Sequence, residues 1–329
     1  MADLNPKQLK NAALHRISQS ESDPRRLVLI HTGVIVVLNV LVSGLNLYLN
    51  QQIDTTGGLS GLGMRSILET IQTLLGYFST FFTPFWAAGF LHAMIRVTRG
   101  QEGQPKDLLL GFKRFGRIMS HTLWQILIYS TACIAVMYVV CNLFILTPLA
   151  ADFLAILEPA LESPNILLPD GTLNLEALPM DSLMVTMIPL FIMYAAVLIP
   201  FLIFTNCQFR MSLFLLVEGM ERGAMGSFFV SIKLMKGHKW QMFKLDLSFW
   251  WYYLAEALLM LVLYLDLLLP MLGVALPFNE TVAFFLALIL YGALELGFHY
   301  WKKAEVDVTY AGAYEAIYRQ FVPVESEQN

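Results

Sequence analysis

Asp246 and Glu256 stand inside one long apolar stretch, and Glu295 and His299 inside another. An unpaired charge in hydrocarbon costs about 3 kcal/mol or more, so each is a candidate for function. Glu295 and His299 are four residues apart and share one face of a helix. A proton or cation relay would use that arrangement, and a structural ion pair would use it too. Glu295 lies roughly 9 Å in from Trp301, and Asp246 roughly 9 Å in from Trp240. The two carboxylates are therefore expected at one level, with Arg210 and Arg96 entering from neighbouring segments. Glu256 is deeper, with no Lys or Arg predicted at its depth. It must be protonated, hydrogen-bonded or lining a wet cavity, which makes it the leading single candidate for a functional polar site.

Other chemistries find no support. GxSxG, HExxH, Walker A and Rossmann patterns are absent. Cys133, Cys141 and Cys207 all sit in apolar segments and form no CxxC pair, so they read as small apolar filler. His15, His31, His92, His121 and His238 are scattered. The expectation is a non-enzymatic protein with no catalytic set, metal site or cofactor.

The elements holding these residues follow from hydropathy. The 329 residues are 57% hydrophobic and 14% charged, too little polar material to clothe a water-facing surface. Six segments reach the length needed to cross a bilayer: Leu27–Leu49, Ile67–Ile95, Thr122–Leu146, Leu183–Phe209, Trp240–Leu265 and Thr281–Trp301. The first follows a polar, basic stretch and reads as a signal anchor. Twenty of the 21 Lys and Arg residues fall in the termini and alternate connections, Arg65 being the exception. Cations stay on the cytoplasmic side, so both termini are expected there. The connection 147–182 carries six acidic residues, five prolines and no Lys or Arg, and is expected to pack over the outer face. Pro84, Pro189 and Pro200 fall within spans and predict bends, with a bent or broken fourth span.

Two basic segments carry helical stripes. Leu108, Phe112, Phe115 and Met119 form one, with Asp107 suited to the N-cap and Lys113, Arg114 and Arg117 off the stripe. Phe228, Ile232 and Met235 form the other, with Ser227 able to cap, Lys233, Lys236 and Lys239 supplying charge, and Gly237 ending the helix. Such helices lie in the interface and either anchor the chain or bind an anionic headgroup or partner. Pro84-Phe85 and LLLGFKRF (108–115) are echoed by Pro200-Phe201 and FFVSIKLM (228–235). Duplication in parallel orientation would produce this, and so would a shared hairpin architecture. Asn5-Pro6 reads as a helix start ahead of Leu9, Ala13 and Ile17, while Val306, Tyr310, Tyr314, Ile317 and Phe321 form a second stripe after the last span. Both are expected to dock against the bundle or the interface.

The run from Ser231 to Trp251 (SIKLMKGHKWQMFKLDLSFWW) resembles a family of Gram-positive bacterial membrane proteins catalogued as domain of unknown function 975. The matching positions are Ser231, Met235, Lys236, Gly237, Lys239, Phe243, Leu245, Leu247, Ser248, Phe249 and Trp251. Leu9-Lys10 with Ala12-Ala13, and Pro277-Phe278 with Thr281, echo the family elsewhere. The resemblance implies a polytopic architecture and no established activity.

The expected fold is all-α, a polytopic bundle of six transmembrane helices with basic amphipathic interfacial helices and the pattern of a parallel hairpin repeat. It divides into an amphipathic N-terminal segment (1–26), a transmembrane domain (27–303) and a C-terminal amphipathic segment (304–329). The expected setting is the bacterial cytoplasmic membrane. The role is a transport-related or transport-accessory one, or alternatively a lipid-interacting scaffold or assembly factor. The expected partners are anionic lipids at the cytoplasmic face, with room for a membrane or cytoplasmic protein; nothing points to nucleic acid.

Overall fold

Local sequence fixes the first helix. The Lys7 N–H donates to Asn5 Oδ1 at 3.0 Å, and Pro6 stands at the first helical position, so α1 is Pro6–Gln19. The computed structural model describes residues 5–21, 23–55, 62–161, 180–219, 223–265, 268–269 and 279–321. Among these the chain is helical, with no strand. After α1 come α2 (Pro24–Thr55), α3 (Leu62–Thr98), a 3-10 turn (Pro105–Leu109), α4 (Leu110–Lys113), α5 (Phe115–Ile145) and α6 (Pro148–Leu161). Then follow α7 (Met180–Phe209), α8 (Ser212–Val217), α9 (Ala224–Leu234), α10 (Lys239–Ser248), α11 (Trp250–Val262) and α12 (Glu280–Phe321). Five helices are long and apolar enough to cross a membrane, and α10 with α11, bent by 59°, make a sixth if taken as one span.

The chain forms two compact units, one of Met1–Thr122 and Gln208–Asn329, the other of Leu123–Cys207. In the first, α2, α3 and α12 pack on one another, α11 lies along α12, and α1 packs on α12, α3 and α10. Its most shielded side chains, Met94, Met211, Met235, Met242 and Tyr314 among them, come from the C-terminal end of α3, the 211–249 stretch and the second half of α12. Lipid solvates apolar helix faces without cost, whereas water does not, so burial is tightest where these helices leave the apolar spans. α12 has 42 residues. At that length it is roughly 60 Å long, about twice the hydrocarbon thickness. The last span and the C-terminal segment are thus one helix, continuous through residues 303–304, and its Val306, Tyr310, Tyr314 and Ile317 dock inward while Phe321 stays exposed.

The segment after α3 departs from expectation. A single helix through Leu108, Phe112, Phe115 and Met119 is not formed; the chain makes the 3-10 turn, the one-turn α4 and then α5. The cause is backbone contact with α3. A Cβ at Gly89 would stand 1.9 Å from the Leu108 carbonyl oxygen, and one at Gly111 would stand 1.8 Å from that of Phe85. Asp107 closes the turn from within, accepting from the Gln104 N–H at 2.9 Å, rather than capping a helix that follows it. In the second segment α9 begins at Ala224 with Gly223 at its cap; Ser227 lies inside and donates to the Ala224 carbonyl. Gly237, with φ of 89°, turns the chain into α10.

In the second unit α7 runs unbroken through Pro189 and Pro200, and the chain breaks only after Phe209. α6 occupies the start of the acidic connection. Residues 162–179 of that connection, Pro277-Phe278 and the first-loop glycines Gly57, Gly58 and Gly61 lie outside the described residues.

Candidate functional site

Helical spacing assembles the site. Along α12, Tyr291, Glu295, His299, Lys303 and Asp307 recur every fourth residue, a ladder in which each side chain neighbours the next while the line winds slowly around the helix. Thr32 of α2 and Glu256 of α11 meet its centre. His299 Nε2 lies 2.6 Å from Glu256 Oε1, and His299 Nδ1 lies 3.0 Å from Thr32 Oγ1. Glu295 Oε1 stands 4.0 Å from the same Nδ1. The Tyr252 side chain faces Glu256, and that of Tyr291 faces Glu295. Lys303 Nζ is 3.6 Å from Asp307 Oδ2. His299 and Glu295 are buried, 6% and 9% exposed, and a charge there has little water to answer it.

Donors and acceptors do not balance. Glu295 Oε2 and His31 Nδ1 are buried without a hydrogen-bond partner. His31 stacks on Phe90 with centroids 4.1 Å apart. Unmatched polar atoms in a dry interior cost about 1–3 kcal/mol each, so each calls for an explanation.

A cavity of about 510 Å3 lies among α2, α3, α11 and α12. Its lining includes Asn39 and Ser43 of α2, Ser79 of α3, Tyr264 and Tyr291. Tyr291 joins the two features, lining the cavity and facing Glu295.

The remaining sequence candidates sort elsewhere. Asp246 is held by Arg210, whose Nη1 donates to both carboxylate oxygens at 2.6 and 2.5 Å. The Tyr310 hydroxyl donates to Asp246 at 2.6 Å, and the Arg210 guanidinium lies over the Tyr310 ring. Arg96 pairs with Asp107 at 2.9 Å and so does not enter at the level of Glu295. Arg114 donates to the Val217 carbonyl at 2.6 Å and closes the end of α8. Lys113, Arg117, Lys233 and Lys236 are exposed, and Lys239 is half-buried at the start of α10.

Sequence reasoning missed Thr32, Tyr252, Tyr291, Lys303 and Asp307. The last three were within reach, because the four-residue spacing of Glu295 and His299 continues in both directions. Among the described residues no group of three or more His, Cys, Asp or Glu is placed to hold a metal.

A family model matches the chain over residues 5–298, and its description is Protein of unknown function (DUF975). No curated protein and no solved structure matches.

Proposed function

Because the chain belongs to that family of unknown function, we propose its role from the site itself: a non-enzymatic, transport-related or transport-accessory protein of the bacterial cell membrane. The apolar helices agree with a multi-pass membrane protein. The confinement of 20 of 21 cations to the termini and alternate connections supports cytoplasmic ends. One observation carries the transport reading. The cavity reaches Tyr291, and Tyr291 faces a buried carboxylate, Glu295, that stands 4.0 Å from His299, which in turn bonds Glu256. Ionisable groups facing a cavity inside a bundle mark ion or substrate pathways.

Water in the cavity tests this. With Cys133, Cys141 and Cys207 replaced by Ser, Ser43→Cys and Ser79→Cys are each treated with a charged, membrane-impermeant thiosulfonate in proteoliposomes. Modification of both is expected. Silence at both positions in folded protein removes the reading.

The scaffold alternative rests on the exposed Lys113, Arg117, Lys233 and Lys236, which suit anionic headgroups. It requires that nanodiscs of anionic lipid stabilise the protein more than zwitterionic ones, and that replacing these four by Gln abolish the difference.

A further inference from the structure

We propose that the species exchanged at this site is a proton, loaded on Glu295 from the cavity and passed through His299 to Glu256. The proposal rests on the transport reading and names its coupling ion.

His299 meets a partner at each ring nitrogen. A neutral imidazole carries one N–H. Its Nε2, 2.6 Å from Glu256 Oε1, is placed to donate to an ionised Glu256. Its Nδ1 is then an acceptor, and the Thr32 hydroxyl at 3.0 Å is the donor it meets. In that state Glu295 receives nothing from His299. Its Oε1 faces a nitrogen lone pair across 4.0 Å, and its Oε2 is buried with no partner. A carboxylate so placed would present one anionic oxygen to an unmatched interior. A proton on Glu295 removes that cost and supplies a donor.

The alternate state follows by moving protons along the same contacts. Glu295 gives its proton to Nδ1, forming N–H there and breaking O–H. His299 gives the Nε2 proton to Glu256 Oε1. The ring ends neutral in its other tautomer, Glu295 ends ionised and Glu256 ends protonated. The ring gains one proton and gives up one, so the net change is one proton moved from Glu295 to Glu256, and the Thr32 hydroxyl changes from donor to acceptor. Only a side chain able to donate and accept at two separated atoms does this, and histidine is that side chain.

The surroundings favour a proton over a metal cation. The charged and titratable groups facing Glu295 and His299 are Tyr291, Lys303 and Asp307 on α12, Glu256 and Tyr252 on α11, and His31 on α2. Lys303 already places a fixed positive charge beside the cluster. Cations such as calcium or magnesium want about six or more converging oxygens, and among the described residues no such acidic set converges.

The test is infrared pH-difference spectroscopy of the full chain in nanodiscs, following the C=O stretch of protonated carboxyl groups. A carboxyl band present near neutral pH and lost on alkalinisation is expected, and Glu295→Gln is expected to remove it. Uniform labelling with 13C-glutamate is expected to shift the band without any substitution, which keeps the test intact if the variant fails to fold. Absence of the band, its persistence at full amplitude in folded Glu295→Gln, or a shift with 13C-aspartate instead overturns the proposal. The two readings separate cleanly: reactive cysteines at positions 43 and 79 with no titrating glutamate leave a wet cavity without a proton site. A titrating glutamate beneath unreactive cysteines leaves a proton site without the transport reading.

Discussion

Arg210 and Asp246 stand about one-fifth exposed at the break between α7 and α8, locked together and covered by Tyr310. Removing one partner of such a pair strands the other charge, at a cost of about 3 kcal/mol. Arg210→Gln and Asp246→Asn are each expected to lower the thermal midpoint in detergent markedly. The double variant is expected to lose less than the sum, because the stranded charge is gone from both sides; strict additivity would show that the pair does not interact. Glu295, four residues before His299, differs in kind, since its Oε2 is buried without a hydrogen-bond partner. Their pairing on one face was legible from spacing alone. The partner of Glu256 was not, because His299 meets it across two helices 43 residues apart in the chain and no local pattern encodes that meeting. Lys303 and Asp307 were overlooked for a physical reason. The apolar run ends at Trp301, so the ladder passes from a lipid-facing stretch into a polar one without interrupting the helix.

Helices here are interrupted where side chains from elsewhere can satisfy the freed backbone. At the bend in the fifth span, Lys10 Nζ from α1 donates to the Ser248 carbonyl at 2.6 Å and lies 3.8 Å over the Phe249 ring. Lys10→Ala is expected to cost about 1 kcal/mol and to speed hydrogen exchange throughout α1. Unchanged protection would show that α1 is held by its apolar face alone. At the α7–α8 break, Ser231 accepts from the Met211 N–H at 3.2 Å and donates to the Gln208 carbonyl at 2.8 Å. Ser231→Ala leaves both groups buried and unmatched and is expected to cost about 2 kcal/mol, read from the thermal midpoint. The apolar runs that make the spans were plain in the sequence, as were the start of α1 at Asn5-Pro6 and the inward stripe of α12. The broken helix at 105–115 was not, because Leu108, Phe112 and Phe115 fit a helical stripe as well as they fit the folded turn. Only the approach of Gly111 to Phe85 decides between them, and that contact belongs to the packed state. Gly89→Ala and Gly111→Ala each place a methyl group on backbone and are expected to abolish folded expression; normal yield of either would refute the close approach.

At the scale of the larger unit, the apolar spans of α2, α3 and α12 lead into a tightly packed base built from α1, the end of α3, α8 to α10 and the second half of α12. The cavity occupies the half of the bundle away from that base, and the ladder on α12 runs from the cavity toward it. If the termini are cytoplasmic, as proposed, the cavity faces outward and Asp307 inward. A cysteine at Gln104 is then expected to be shielded from an impermeant reagent on intact cells, and one at Asn165 to react; the reverse pattern inverts the path. The central claim is that Glu295 trades a proton with the cavity. The most direct measurement is charge displacement after a pH jump, recorded from proteoliposomes on a solid-supported membrane. A transient current is expected in the unaltered protein, lost in Glu295→Gln and retained in Lys113→Gln. No current in the unaltered protein, or an equal current in folded Glu295→Gln, would contradict it.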